Sequence, residues 1–189
     1  MPIAENSDFV FVGRLTEEKG VRMLAEVAHD ANLPLAIVGD GPLLEELRQF
    51  KGSIRCTGWL DGPAMTEVLK RARALIFPST WYETGGLVVL EALAHGIPVI
   101  ASRITAPADF IAEGVNGYVI DSGDRAALLD RLRKLADPAV ANRMGAEAYR
   151  RYWADPQSAA VHTANLLAVY RRLLAEKELL AERQVTEAV

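Results

Sequence analysis

The stretch Ala74-Leu-Ile-Phe-Pro-Ser-Thr-Trp-Tyr-Glu83-Thr-Gly-Gly-Leu-Val-Val-Leu-Glu91-Ala-Leu-Ala-His-Gly-Ile-Pro-Val-Ile-Ala101 decides the fold. Its first four residues form a short, wholly apolar run, as in a strand covered on both faces. A polar loop then reaches Gly85-Gly86 and opens a helical pattern from Gly86 to His95. Gly96, with Pro98 just beyond, is a helix stop, and Pro98 to Ala101 is the next apolar strand. Strand, helix and strand at this spacing make a parallel crossover unit.

The same alternation extends in both directions. Strands are predicted at Phe9–Val12, Leu35–Val38, Ile54–Thr57 and Gly117–Ile120. Helices are predicted over Val21–Ala31, Pro42–Phe50, Asp61–Arg71 and Asp124–Ala136. Pro42 suits a helix start, and Asp61-Gly-Pro reads as a capping sequence. The fold class is therefore α/β: a single doubly wound, Rossmann-like domain with a parallel six-stranded sheet and a core over about 8–136. C-terminal helices follow over about 138–183, from Pro138 to Arg151 and from Pro156 to about Arg183, with Arg151-Tyr-Trp breaking the two and a frayed tail beyond. The last helix carries an apolar stripe at Leu166, Leu167, Val169, Tyr170, Leu173, Leu174, Leu179 and Leu180. Such a stripe needs a partner surface, and a homodimer through this helix is one expectation.

Composition narrows the function classes. Among 189 residues, 21 basic and 25 acidic side chains leave a net charge of −4. That balance gives no reason to expect nucleic acid as a partner, and at most a peripheral membrane contact. The lone Cys56 excludes an internal disulfide and is expected as a buried, inert thiol. With no signal-peptide pattern and no apolar stretch of spanning length, a cytoplasmic location is expected.

The chemistry gathers on two loops. In a sheet of order 3-2-1-4-5-6, ligands bind at the carboxyl ends of strands 1 and 4, where strand order reverses. The strand 1 loop is Gly13-Arg14-Leu15-Thr16-Glu17-Glu18-Lys19-Gly20, and the strand 4 loop holds Glu83, Gly85 and Gly86. Backbone N–H groups of Gly85, Gly86 and Leu87 at a helix start offer an anion site, strengthened by the helix dipole. Arg14 and Lys19 beside it would clamp a diphosphate. Carboxylates repel such an anion, but Glu83 and Glu91 can accept hydrogen bonds from sugar and ribose hydroxyls. Phosphate donors flanked by hydroxyl acceptors point to a sugar nucleotide. Thr16 is read as a helix N-cap, with Glu17 and Glu18 as helix-start residues. Gly39-Asp40-Gly41-Pro42 is a tight turn into a helix, and Gly58-Trp59-Leu60 could pair with a flat base, although Trp59 alternatively just packs. His95, at a helix end, is read as a cap, and no metal-ligand set stands out.

With these residues in view, the chain resembles the carboxy-terminal, donor-binding domain of retaining GT-B glycosyltransferases of family 4, the group 1 glycosyl transferases. The marks are Val12-Gly13-Arg14-Leu15 with Glu18-Lys19-Gly20, Gly39-Asp40-Gly41-Pro42, and Glu83 and Glu91 separated by seven residues. Ala92-Leu93-Ala94-His95-Gly96-Ile97-Pro98-Val99 completes them. The resemblance implies that Arg14 and Lys19 hold the diphosphate and stabilise the leaving group. It implies that Glu91 accepts from ribose hydroxyls and Glu83 from the donor sugar, with Gly13 and the Gly85, Gly86 and Leu87 amides completing the contacts. Transfer of a hexosyl group from a nucleoside diphosphate sugar to an acceptor hydroxyl, with retention and with no metal or other cofactor, is the implied activity. Two positions depart from the family pattern: Gly85 stands where a bulky residue is usual, and Thr105-Ala-Pro-Ala-Asp109 replaces a Gly-Gly-Glu type loop. The first is expected to widen the sugar pocket and the second to stiffen the strand 5 loop, leaving Asp109 a weak site candidate. The resemblance also implies an amino-terminal acceptor domain or partner chain that this sequence lacks, and inactivity without it. The competing possibility is a stand-alone sugar-nucleotide binding or regulatory module. Nothing in the spacing selects the base, the sugar or the acceptor.

Overall fold

The computed structural model describes residues 5–187, with side chains described to residue 177. The chain divides into two compact units, Met1–Ala154 and Asp155–Val189. The first holds strands β1 (Asp8–Val12), β2 (Leu35–Val38), β3 (Ile54–Gly58), β4 (Ala72–Phe77), β5 (Val99–Ser102) and β6 (Gly117–Ile120). They lie side by side in the order β3-β2-β1-β4-β5-β6, and every pairing is parallel. This is the predicted doubly wound sheet.

Successive side chains along a strand point to opposite faces, and both faces here are apolar. Phe9, Phe11, Leu35, Ile37, Ala74, Ile76, Ile100 and Ile120 fill one layer. Residues between them, such as Val10, Ala36, Leu75, Phe77, Val99 and Ala101, fill the other. The first layer is closed by α1 (Val21–Asp30) and α5 (Arg125–Ala136) through Leu24, Val27, Leu128 and Leu132. The second is closed by α3 (Gly62–Lys70) and α4 (Leu87–Ala94) through Leu69, Val89, Ala92 and Leu93. α6 (Pro138–Ala154) serves both layers, giving Met144 to one and Ala148 to the other. Cys56 is half-buried against the first layer, where a fully buried position is predicted, and desolvation pushes its thiol above the ordinary range.

Asp61 caps α3 as predicted, and Asp124 caps α5. Asp61 Oδ1 accepts from the Ala64 N–H at 3.0 Å, and Asp124 Oδ1 from the Ala127 N–H at 2.9 Å. Losing such a cap costs about 1 kcal/mol, so Asp124→Ala is expected to lower the melting temperature by about 2–4 °C. Thermal unfolding followed by circular dichroism checks this; an unchanged midpoint would deny Asp124 a capping role.

Boundaries differ where tertiary contacts decide. Over 42–50 the α-helix α2 keeps only Leu44–Leu47. Its ends are tighter, with Leu44, Gln49 and Phe50 N–H groups bonded three residues back, to Gly41, Glu46 and Leu47. Arg151-Tyr-Trp is no break, since α6 runs on to Ala154. Tyr152 packs on the second layer and the Trp153 indole N–H donates to the Ala94 carbonyl at 3.1 Å. In the second unit, α7 (Ala159–Glu187) starts after Ser158, whose Oγ accepts from the Val161 N–H at 3.3 Å, and it continues past the predicted frayed end. Leu166, Leu167, Val169, Tyr170, Leu173 and Leu174 are exposed on α7, while the Leu179 and Leu180 side chains lie outside the described residues. Among the described residues no helix is long and apolar enough to cross a membrane.

Candidate functional site

Strand order reverses between β1 and β4, so the loops leaving their carboxyl ends bound one crevice. The β1 loop is pinned by Leu15, which is fully buried. Its N–H donates to the Asp40 carbonyl at 2.9 Å, and its carbonyl accepts from Leu43 at 3.0 Å. Arg14, one residue earlier, is exposed. Residues Glu17–Lys19 form a single 3-10 turn, and Gly20 then takes a left-handed φ of 68° before α1 begins. Thr16 does not cap a helix as predicted; its hydroxyl donates to Glu18 Oε1 at 2.7 Å. That bond above all holds the Glu18 carboxyl below its ordinary range, and the charges of Arg14 and Lys19 lower it further.

The β4 loop is laced onto the β1 loop. The Thr80 N–H donates to the Glu18 carbonyl at 2.8 Å, and the Ser79 hydroxyl lies 2.8 Å from the same oxygen. Ser79 Oγ is also 3.0 Å from Glu83 Oε1, which accepts from Lys19 Nζ at 2.5 Å. The Lys19 and Glu83 side chains keep less than a fifth of their surface exposed. Closeness of the two loops depends on Gly20, where a Cβ would stand 2.1 Å from the Pro78 carbonyl oxygen. On the far side, the Ala106 N–H donates to the Glu83 carbonyl at 2.9 Å. Pro107 then packs so tightly on the start of α4 that a Cβ on Gly86 would lie 2.2 Å from its ring. The Ala106–Phe110 segment is a 3-10 turn with Pro107 in its first turn.

Two open cavities result. Arg14, Glu18, Lys19, Trp81, Tyr82, Glu83 and Thr84 line one of about 500 Å³. Leu60, Met65, Thr66, Leu69, Glu91 and His95 are among those lining the other, of about 450 Å³. Leu87 is exposed at the first turn of α4, and Glu91 follows four residues, about 6 Å of helix rise, further on. First-turn N–H groups have no partner within their helix and carry the positive end of its dipole. Among the described residues no group of three or more His, Cys, Asp and Glu is placed to hold a metal ion.

This arrangement has close relatives among known proteins. The glycosyl transferases group 1 family matches residues 6–137. The chain belongs to that family. A GDP-mannose-dependent alpha-mannosyltransferase of Corynebacterium glutamicum is 38% identical over 114 residues, 60% of this chain and 27% of that protein. A glycogen synthase of Mycobacterium tuberculosis is 33% identical over 187 residues, 88% of this chain and 43% of that protein. The solved sucrose-phosphate synthase of Thermosynechococcus elongatus superposes with a TM-score of 0.78 at 26% identity, over 92% of this chain and 47% of that one. The chain thus spans less than half the length of these relatives. Its sheet and flanking helices are those of the carboxy-terminal domain of a GT-B glycosyltransferase.

Within this group 1 domain, Arg14, Lys19 and Glu83 meet in one cavity, whereas Leu60 and Glu91 line the other. On α4, Glu91 shares its cavity with Met65, Thr66 and Leu69 of α3. Gly13 bonds to the Val38 carbonyl at the mouth of β1, and Gly85 has open space around it. Gly58 ends β3 itself, and Trp59 beyond it is 82% exposed, so it does not pack. Asp109 lines a separate cavity with Arg103 and Arg131. His95 keeps a helix-end role, with Nδ1 2.7 Å from the Glu91 carbonyl. Sequence reasoning gave no role to Ser79, Trp81, Tyr82 or the Glu18 carbonyl. Two adjacent aromatic residues in a polar loop were a usable signal for the exposed Trp81 and Tyr82. No sequence signal marks a hydroxyl that reaches a carbonyl 61 positions away.

Proposed function

We propose that this domain is the donor-binding half of a retaining, family 4 hexosyltransferase that moves a sugar from a nucleoside diphosphate sugar to an acceptor hydroxyl. The observation that carries it is the grouping of Arg14, Lys19 and Glu83 on one cavity at the β1–β4 crevice. As the bond from the anomeric carbon to the diphosphate breaks, its electron pair leaves with the phosphate. Arg14, Lys19 and the amino end of α4 stabilise that charge, so no metal is assigned to the reaction. Glu83 accepts from the sugar hydroxyls, with the Gly85, Gly86 and Leu87 amides beside it. Glu91 accepts from the ribose in the second cavity, whose apolar Leu60, Met65 and Leu69 suit the flat base. A relative that is GDP-mannose-dependent by name supports the donor class.

Acceptor binding is assigned to a companion domain, which the greater length of the relatives supports. Without it this domain binds donor and does not transfer. Isothermal titration with UDP-, GDP- and ADP-sugars tests the donor site. One base is expected to bind. Glu91→Ala is expected to weaken that binding by about 10–100-fold, since a hydrogen bond to a charged group contributes roughly 1.5–3 kcal/mol. Unchanged affinity in Glu91→Ala, with the donor still bound, would remove the ribose assignment.

A further inference from the structure

We propose that Ser79 is a positioning residue that holds Glu83 ready for the donor sugar, an inference that rests on the donor site above. Ser79 is 2% exposed, and its Oγ faces the Glu18 carbonyl at 2.8 Å and Glu83 Oε1 at 3.0 Å, with the Trp81 carbonyl more distant at 3.5 Å and the Trp81 N–H donating to it at 3.4 Å. A hydroxyl has one proton and serves one acceptor at a time. The Glu18 carbonyl already receives the Thr80 N–H at 2.8 Å, so it is satisfied without Ser79. Among the described residues, Glu83 Oε1 has only Lys19 besides.

Lys19 has a second claim on it, since the diphosphate is the more highly charged partner. When the diphosphate draws the Lys19 ammonium away, Glu83 becomes a largely buried carboxylate without its cation. Leaving such a group unpaired is unfavourable, and the Ser79 proton is the nearest replacement. Glu83 Oε2 makes no hydrogen bond among the described residues, so it is the oxygen presented to a sugar hydroxyl. The Ala106 N–H fixes the Glu83 main chain independently, at 2.9 Å. Besides its contacts to the Glu18 carbonyl and the Trp81 N–H within the loops, Ser79 thus acts on the direction of the carboxylate.

The test is a set of titrations with the nucleoside diphosphate and the nucleoside diphosphate sugar of the preferred base, on the full chain. Wild type is compared with Ser79→Ala, Glu83→Ala and the double variant. Ser79→Ala is expected to bind the diphosphate within about 2-fold of wild type and to lose about 10-fold of the extra affinity that the sugar confers. In the Glu83→Ala background, Ser79→Ala should add nothing, because both act through one carboxylate. Ser79→Cys fills the same volume with a weaker donor and is judged by the same criteria if Ser79→Ala does not fold. An equal loss for both ligands, or losses that multiply in the double variant, would make Ser79 a loop residue only. Equal binding of the two ligands by wild type would also overturn the proposal. If the wild-type chain binds no nucleoside diphosphate, the donor-site reading itself falls and takes this inference with it.

Discussion

Lys19→Ala is expected to weaken binding of a nucleoside diphosphate by about 10–100-fold. Two effects act in the same direction. A charge-assisted hydrogen bond to phosphate is lost, worth roughly 1.5–3 kcal/mol. The Glu83 carboxylate, held at 2.5 Å by the Lys19 ammonium, is left facing the cavity without its cation and repels the incoming anion. The second effect gives the prediction its signature, because Lys19→Ala combined with Glu83→Gln should recover part of the loss. Arg14→Ala is expected to weaken binding less, since Arg14 is exposed and its field is screened by water. Calorimetric titration of the three variants checks the order. Affinity within 2-fold of wild type in Lys19→Ala would remove the diphosphate from this cavity.

Gly20→Ala is expected to be strongly destabilising. Gly20 sits at φ 68°, where an L side chain costs roughly 1–2 kcal/mol. Its new Cβ would also stand 2.1 Å from the Pro78 carbonyl oxygen, a backbone atom that cannot rotate aside. The two loops must then part, straining the Thr80 to Glu18 bond. Forced overpacking of this kind adds roughly 1–3 kcal/mol. A total of about 3 kcal/mol lowers the melting temperature by about 6–12 °C in a domain of this size. Gly85→Ala is the matched control, because nothing lies within 4 Å of a Cβ there, and it should stay within about 0.5 kcal/mol of wild type. Thermal unfolding of both variants decides the matter; equal midpoints would mean that the loops are not locked through Gly20.

The sheet was legible because its strands are apolar on both faces and separated by helix-length, capped segments, which only a parallel, doubly covered sheet accommodates. The doubly wound strand order brings the loops after β1 and β4 side by side, and with them Arg14, Lys19 and Glu83. Local signals failed where a distant contact prevails. Nothing near Trp153 foretells the Ala94 carbonyl that keeps α6 helical to its end. The spacing of Glu83 and Glu91 marked both residues, but it says nothing of which way α4 turns its face, and Glu91 consequently fell in a second cavity with α3. The Ser79 contact with the Glu18 carbonyl is invisible in the sequence for the same reason, since the two residues lie 61 positions apart.

The central claim is that the β1–β4 crevice recognises a diphosphate through Lys19 and Arg14. The measurement that tests it most directly is a titration of the wild-type chain with the nucleoside and the nucleoside diphosphate of the same base, repeated at higher salt. Binding of the diphosphate at least about 10-fold tighter than the nucleoside, with that advantage shrinking as salt rises, is the predicted result. Equal affinity for both, or no binding of either, would contradict it.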